Sequence, residues 1–250
     1  MELAYVANNW GNILSVIFFM ISNVVFIDVI FYNVKTIAGY ERDEILLFNL
    51  ASQFWFFIIY SIFWKNFEIL STSVNSGEFD LVLTRPIPSM FYASFKTFNI
   101  LRVVRDAIPS LLILVLAINW GNLNIIYENL FFGLITIFSG IAISALLNLI
   151  VTLPVFWLGN NQGIIDLAVT IEDSAGHSNF VYEAWNDFWK IVFTIFFPSA
   201  ISSALSTSII LGKSPALEMT IISISVLIIF FLIAKLLWSL ALKNYTSASS

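Results

Sequence analysis

Long apolar stretches occupy most of this sequence, and few folds can accommodate them. An α-helix rises about 1.5 Å per residue, so about 20 apolar residues are needed to cross about 30 Å of hydrocarbon. A soluble domain has no use for many stretches of this length, so the pattern predicts an all-α integral membrane protein. The predicted spans are residues 13–33, 45–64, 100–120, 129–158 and 217–240.

Composition agrees with a membrane protein and argues against other classes. Of the 250 residues, 59% are hydrophobic and 11% are charged, whereas about 25% of the residues in soluble domains are charged. The formal net charge of −5 argues against a nucleic-acid partner, because phosphate binding needs clustered lysines and arginines. The absence of cysteine excludes disulfides, thiolate metal sites and a cysteine nucleophile.

Residues 160–211 are harder to assign than the rest of the chain. They include one more apolar stretch, and they also collect Glu172, Asp173 and the single histidine, His177. We expect one span here, together with a loop or a re-entrant pair of helices before the last span. The chain, residues 1–250, would then be a single domain with about six transmembrane helices.

Basic residues predict the orientation of the spans, because cytoplasmic loops carry an excess of lysine and arginine near the span ends. Lys65, Arg85 and Lys96 lie in the segment between the second and third spans, and Arg102 and Arg105 lie at the start of the third. We therefore expect this segment, and with six spans both termini, to lie on the cytoplasmic side of the cell (inner) membrane.

That polar segment carries signals of ordered structure. Phe67, Leu70 and Val74 recur at helical spacing while Glu68 falls on another face, which predicts a short amphipathic helix. Gly77 provides its stop. An ordered segment of this kind fits either a helical hairpin at the lipid headgroups or a docking surface for a cytoplasmic partner.

The second half of the same segment predicts a stiff connector and another helix. In the stretch RPIP, residues 85–88, each proline restricts its own backbone and that of the residue before it. Ser89 is then the expected N-cap of a helix that runs into the third span.

The stretch SGEFDLVLTRPIPSMFY, residues 76–92, resembles a motif of the permease subunits of bacterial type 2 ATP-binding-cassette (ABC) exporters. In that motif a Gly-acid-hydrophobic-Asp stretch leads to a Leu-x-Arg-Pro turn. Here it runs through Gly77, Glu78, Asp80, Leu83, Arg85 and Pro86. Residues 3–14 and 37–53, and the pair Phe156-Trp157, extend the resemblance.

The resemblance implies a function and partners. In that family two permease copies, or two related permeases, join two cytoplasmic ATPase subunits, and the first cytoplasmic loop forms a coupling helix that sits in a groove on the ATPase. ATP and Mg²⁺ would be bound by those subunits. Carried onto this chain, the coupling residues would be Phe67, Glu68, Leu70, Val74, Gly77, Glu78, Asp80, Arg85 and Pro86.

The chain itself has no recognisable nucleotide site. Its one Gly-Lys-Ser sequence, residues 212–214, has Thr207 where a phosphate-binding loop needs its first glycine. We therefore expect a transport subunit that has no catalytic residues and binds no cofactor or metal.

Polar side chains within the spans are the candidates for a transport pathway, because they are costly in lipid and so face protein or water. These are Asn23 and Asp28 in the first span, and Asn49 and Gln53 in the second. Each also has a plainer interpretation, since Asp28 lies near the membrane interface and the three amides could join helices by hydrogen bonds.

Two other classes of protein fit the same composition. A membrane-embedded enzyme needs paired acids or a histidine cluster, for which Glu172, Asp173 and His177 are the candidates. A pore-forming or immunity-type protein would act without an ATPase. Co-purification with a nucleotide-binding subunit distinguishes the permease from both.

Overall fold

Helices form nearly all of the regular structure in the computed structural model, which describes residues 2–159 and 198–245 together with residues 163, 164, 166, 167, 170, 186, 188 and 189. The helices used below are α1 (Glu2–Asn33), α2 (Arg42–Ser76), α3 (Asp80–Leu83), α4 (Ser89–Phe95), α5 (residues 100–117), α6 (Tyr127–Thr152), α7 (Val155–Leu158), α8 (residues 198–210) and α9 (Ala216–Asn244).

Four helical segments in the described part of the chain are long and apolar enough to cross a membrane: Trp10–Asn33, Arg42–Ser76, Tyr127–Leu158 and Ala216–Asn244. The all-α fold predicted from the sequence is confirmed to this extent. The count of six spans stays a prediction. Most of residues 160–211, where the sequence predicts a span and a re-entrant pair, lie outside the described residues.

The connecting segments meet at two opposite ends of the helix bundle. At one end, which we call the hairpin end, residues 77–99 lie against the end of α9, and the ring centroids of Phe79 and Tyr245 are 5.3 Å apart. At the other end, which we call the loop end, the α8–α9 connection reaches the start of α2, where Lys213 Nζ lies 2.6 Å from Glu44 Oε2.

Two π-helical turns interrupt neighbouring helices at the same height. One is Ile59–Trp64 within α2, and the other is Val103–Ala107 within α5. The Arg102 guanidinium carbon, one residue before the second turn, lies 5.4 Å from the centroid of the Tyr60 ring in the first. Turns of this type are rare and are frequently found at functional sites.

The helix predicted to run from Ser89 into the third span is instead two helices, α4 and α5, separated by residues 96–99. The prediction was wrong because Asn99 starts a new helix, with its side chain accepting the backbone N–H of Arg102 at 3.1 Å. Ser89 is not an N-cap either. It is the first helical residue, and its hydroxyl accepts a hydrogen bond from Trp238 Nε1 at 3.2 Å.

Candidate functional site

Residues 65–99, which we call the hairpin, begin with the end of α2. Phe67, Leu70 and Val74 are buried, so the apolar face of the amphipathic segment packs against the chain itself. The predicted short helix is the last part of α2, which has 35 residues. At about 1.5 Å per residue α2 is about 52 Å long, well beyond the about 30 Å of a hydrocarbon core.

Gly77 ends α2 and turns the chain. Its φ of 79° is in the left-handed region, which glycine adopts at little cost because it has no Cβ. The helix stop predicted at this position is confirmed. After the turn the backbone N–H of Phe79 donates to the carbonyl of Ser73 at 3.0 Å, and this bond folds the start of the second arm onto the first.

Asn66 joins the two arms of the hairpin. Its side-chain amide donates to the carbonyls of Ser94 and Thr97 at 3.0 and 2.9 Å. Its Oδ1 accepts the backbone N–H of Thr97 at 2.8 Å. Asn66 is only 1% exposed, so these bonds satisfy backbone groups that would otherwise be costly to bury. We call this set of bonds the Asn66 clamp.

Phe79 fixes the hairpin to the rest of the bundle. It is fully buried, at 0% exposure, and its ring centroid lies 5.3 Å from that of Phe156, 6.2 Å from Trp238 and 5.3 Å from Tyr245. We call these four residues the aromatic anchor. They bring together the hairpin, α7 and the end of α9, so a displacement of the hairpin must either move these helices or break the anchor.

The opposite side of the hairpin is exposed. Leu81, Leu83 and Ile87 are 66%, 44% and 44% exposed, a concentration of apolar surface between charged residues. We call these exposed residues the tip: Glu78, Leu81, Leu83, Thr84, Arg85, Pro86, Ile87 and Pro88. Exposed apolar groups clustered in this way are typical of an interaction surface.

The remaining residues predicted for coupling lie in the tip or elsewhere in the hairpin. The Arg85 guanidinium carbon lies 4.9 Å from the centroid of the Tyr92 ring, which orients the connector. Asp80 is half-buried. Burial raises the pKa of the Tyr245 phenol, and the nearby Asp80 carboxylate raises it further. Glu68 is exposed and forms an ion pair with Lys65 at 2.9 Å.

A cavity of about 410 Å³ lies between α1, α2 and α5. It reaches the two π-helical turns, and its polar lining consists of Ser15, Gln53, Tyr60, Arg102, Asp106 and Ser110. Within this lining the Asp106 carboxylate is held by Arg105, whose Nε and Nη2 lie 2.6 and 2.8 Å from its two oxygens. Gln53 is therefore the predicted pathway residue that the structure places on a cavity.

The other pathway candidates have different surroundings. Asp28 is exposed and pairs with Arg42 at 2.6 Å near the loop end. Asn49 is buried, and its amide donates to the carbonyl of Ile45 at 3.1 Å. Asn23 is half-buried on α1. A role for any of these residues in transport stays a prediction.

The Gly-Lys-Ser sequence is part of the loop end. Lys213 Nζ donates to the carbonyl of Gly39 at 2.6 Å in addition to pairing with Glu44. The lysine therefore links the α8–α9 connection to α2 and to the loop that precedes it. The candidates for an enzyme site, Glu172, Asp173 and His177, lie outside the described residues.

Comparison with known proteins assigns the chain to a family. A family model described as "ABC-2 family transporter protein" matches residues 16–249. No curated protein and no solved structure matches the chain significantly. The family match covers nearly all of the sequence, including the hairpin, three candidate spans in full and most of the first. The chain therefore belongs to the ABC-2 transporter family and is a multi-pass membrane permease.

Proposed function

We propose that this permease is the transmembrane subunit of an ABC exporter, and that the hairpin tip docks on a cytoplasmic ATPase subunit that binds ATP and Mg²⁺. The observation that carries the proposal is the two-sided character of the hairpin. One side is buried and held by the Asn66 clamp and the aromatic anchor, while the tip exposes Leu81, Leu83 and Ile87.

The construction of the hairpin supports a mechanical role. Force on the tip would reach α2 directly, since the first arm is the end of that helix. It would reach α7 and α9 through the aromatic anchor. Closure of the ATPase subunits would then move these helices relative to one another and convert an inward-open pathway into an outward-open one.

Charge supports a cytoplasmic position for the hairpin. Lys65, Arg85 and Lys96 belong to the hairpin, and Lys243 lies in the last turn of α9 beside it. Arg102 and Arg105 at the start of α5 add to this set, whereas the loop end carries Lys35, Arg42 and Lys213. This distribution follows the positive-inside rule. The exporter would work as a pair of permeases, either two copies of this chain or this chain and a related one.

Introducing charge into the tip should release the ATPase. We expect the double variant Leu81→Asp/Ile87→Asp to reduce the ATPase that co-purifies with the permease by about tenfold or more, because each apolar side chain buried at an interface contributes about 1.5–3 kcal/mol. The measurement is quantitative co-purification from membranes of cells that express both subunits.

The matched control is Thr72→Asp/Asn75→Asp, which places the same two negative charges on exposed positions of the hairpin outside the tip. It should leave co-purification unchanged. Equal retention of the ATPase by the tip variant and the control would contradict the proposal. A membrane-embedded enzyme, or a pore or immunity protein, would bring down no nucleotide-binding subunit at all.

A further inference from the structure

We propose that the cavity between α1, α2 and α5 binds an amphiphile with a single anionic head, a phosphate or a carboxylate, and that Arg102 holds the anion. The inference goes beyond the proposed function and does not depend on it, because a molecule can occupy this cavity whether or not it is transported. It rests on three observations about the cavity wall.

The first observation is the unused hydrogen-bonding capacity of Arg102. A guanidinium has several N–H donors in a planar fork. Within the described part of the chain the side chain of Arg102 makes one hydrogen bond, a long one of 3.4 Å to the carbonyl of Tyr60. Its Nε lies 3.8 Å from Asp106 Oδ2, too far for a hydrogen bond. The remaining donors suit a phosphate or carboxylate, which accept two parallel bonds.

The second observation is the local charge balance. The one carboxylate in the lining, Asp106, is already held by both Arg105 bonds. Asp106 pairs closely with Arg105, at 2.6 Å, and more weakly with Arg102, at 3.8 Å, so the charge of Arg102 on the cavity wall is only weakly compensated by this carboxylate. Arg102 is half-buried at the start of α5, and a charge removed from water is costly unless it is paired, so an anion bound here would compensate the guanidinium.

The third observation is the shape and lining of the cavity. Its volume of about 410 Å³ falls in the range of about 300–1,000 Å³ found for small-molecule sites. Beyond the polar groups its walls are Val16, Phe19, Met20, Phe56 and Phe57. Ser15 and Phe19 are exposed on the outer surface of α1, which opens the cavity toward the surrounding lipid. An apolar tail fits this part of the wall.

The test uses the purified chain in phosphatidylcholine nanodiscs, with dodecyl phosphate as the probe and the rise in unfolding midpoint as the readout. We expect stabilisation by dodecyl phosphate and none by the zwitterionic dodecylphosphocholine. Arg102→Gln should weaken the apparent affinity about ten- to a hundredfold, the effect of losing charge-assisted hydrogen bonds, and Arg102→Lys should recover part of it.

Two further variants guard the interpretation. Ser15→Phe narrows the opening without removing a charge and should also weaken binding. Lys235→Gln is the matched control, since Lys235 lines a separate apolar groove of about 860 Å³ between α4, α6 and α9. It should leave binding unchanged. Full binding in Arg102→Gln, or loss of binding in Lys235→Gln, would overturn the proposal.

Phosphatidylglycerol and dodecyl phosphate together distinguish a bilayer lipid from a free amphiphile as the source of the ligand. If phosphatidylglycerol in the nanodisc stabilises the protein through Arg102, the site takes a bilayer lipid. If dodecyl phosphate alone does so, it takes a free amphiphile. Equal stabilisation by inorganic phosphate would overturn the proposal because the apolar tail would then not be needed. Equal stabilisation by dodecylphosphocholine would overturn it because a net negative head would then not be needed.

Discussion

Replacing Phe79 by alanine should lower the free energy of unfolding by about 3–5 kcal/mol, the range observed when a buried phenylalanine is truncated. The side chain is completely buried and contacts three aromatic rings from α7, α9 and the residue after α9. The neighbouring rings cannot easily move into the cavity that the alanine leaves. They are fixed by edge-to-face contacts with one another, such as Phe156 with Trp238 at a centroid distance of 6.1 Å.

The loss is measured by reversible denaturant titration in detergent micelles. Phe91→Ala is the matched control, because Phe91 belongs to the same hairpin but is 57% exposed, and it should cost less than about 1 kcal/mol. A second readout follows from the proposed mechanism. Phe79→Ala should retain ATP hydrolysis by the complex but lose export. Equal destabilisation by the two variants would show that the anchor does not hold the hairpin.

Replacing Asn66 by leucine should lower the free energy of unfolding by about 3 kcal/mol or more. The substitution keeps the number and branching of the side-chain heavy atoms but removes every hydrogen bond of the Asn66 clamp. The carbonyls of Ser94 and Thr97 and the N–H of Thr97 then lose their side-chain partner. Each buried group left without a partner costs about 1–3 kcal/mol.

Hydrogen exchange gives this prediction a local readout. The Thr97 amide, which donates to Asn66 Oδ1, should exchange much faster in Asn66→Leu, whereas amides in the middle of α6 should not change. Asn75→Leu is the control, since Asn75 is exposed on the same helix. Unchanged protection of Thr97 in Asn66→Leu would mean that the two arms of the hairpin are held by other contacts.

Local patterns predicted the parts of this fold that depend on neighbouring residues in the sequence. The apolar stretches predicted the four described helices that are long and apolar enough to cross a membrane, and the spacing of Phe67, Leu70 and Val74 predicted the buried face of the hairpin. Gly77 predicted the helix end because many helices end with a residue in the left-handed conformation, and that residue is usually glycine. In each case the physical cause lies within a few residues of the signal.

The contacts that assemble the site could not be predicted in this way. Asn66 reads as one polar residue on an amphipathic helix, yet its partners are about 30 positions later in the chain. The burial of Phe79 is not predicted by the polar segment around it, and the one signal of it is a large aromatic residue between Glu78 and Asp80. That Arg102 has few hydrogen-bond partners can be seen only once its neighbours on α2 and α5 are known.

The most direct test of the docking role is residue-specific crosslinking. The chain contains no cysteine, so single cysteines can be introduced without background at Leu83, in the tip, and at Tyr127, which is 81% exposed at the loop end. A maleimide–succinimide crosslinker is applied to membranes, and adducts are identified by mass spectrometry. We predict a permease–ATPase adduct from Leu83→Cys and none from Tyr127→Cys. An ATPase adduct from Tyr127→Cys, or none from a Leu83→Cys variant that a small maleimide labels, would contradict docking at the hairpin.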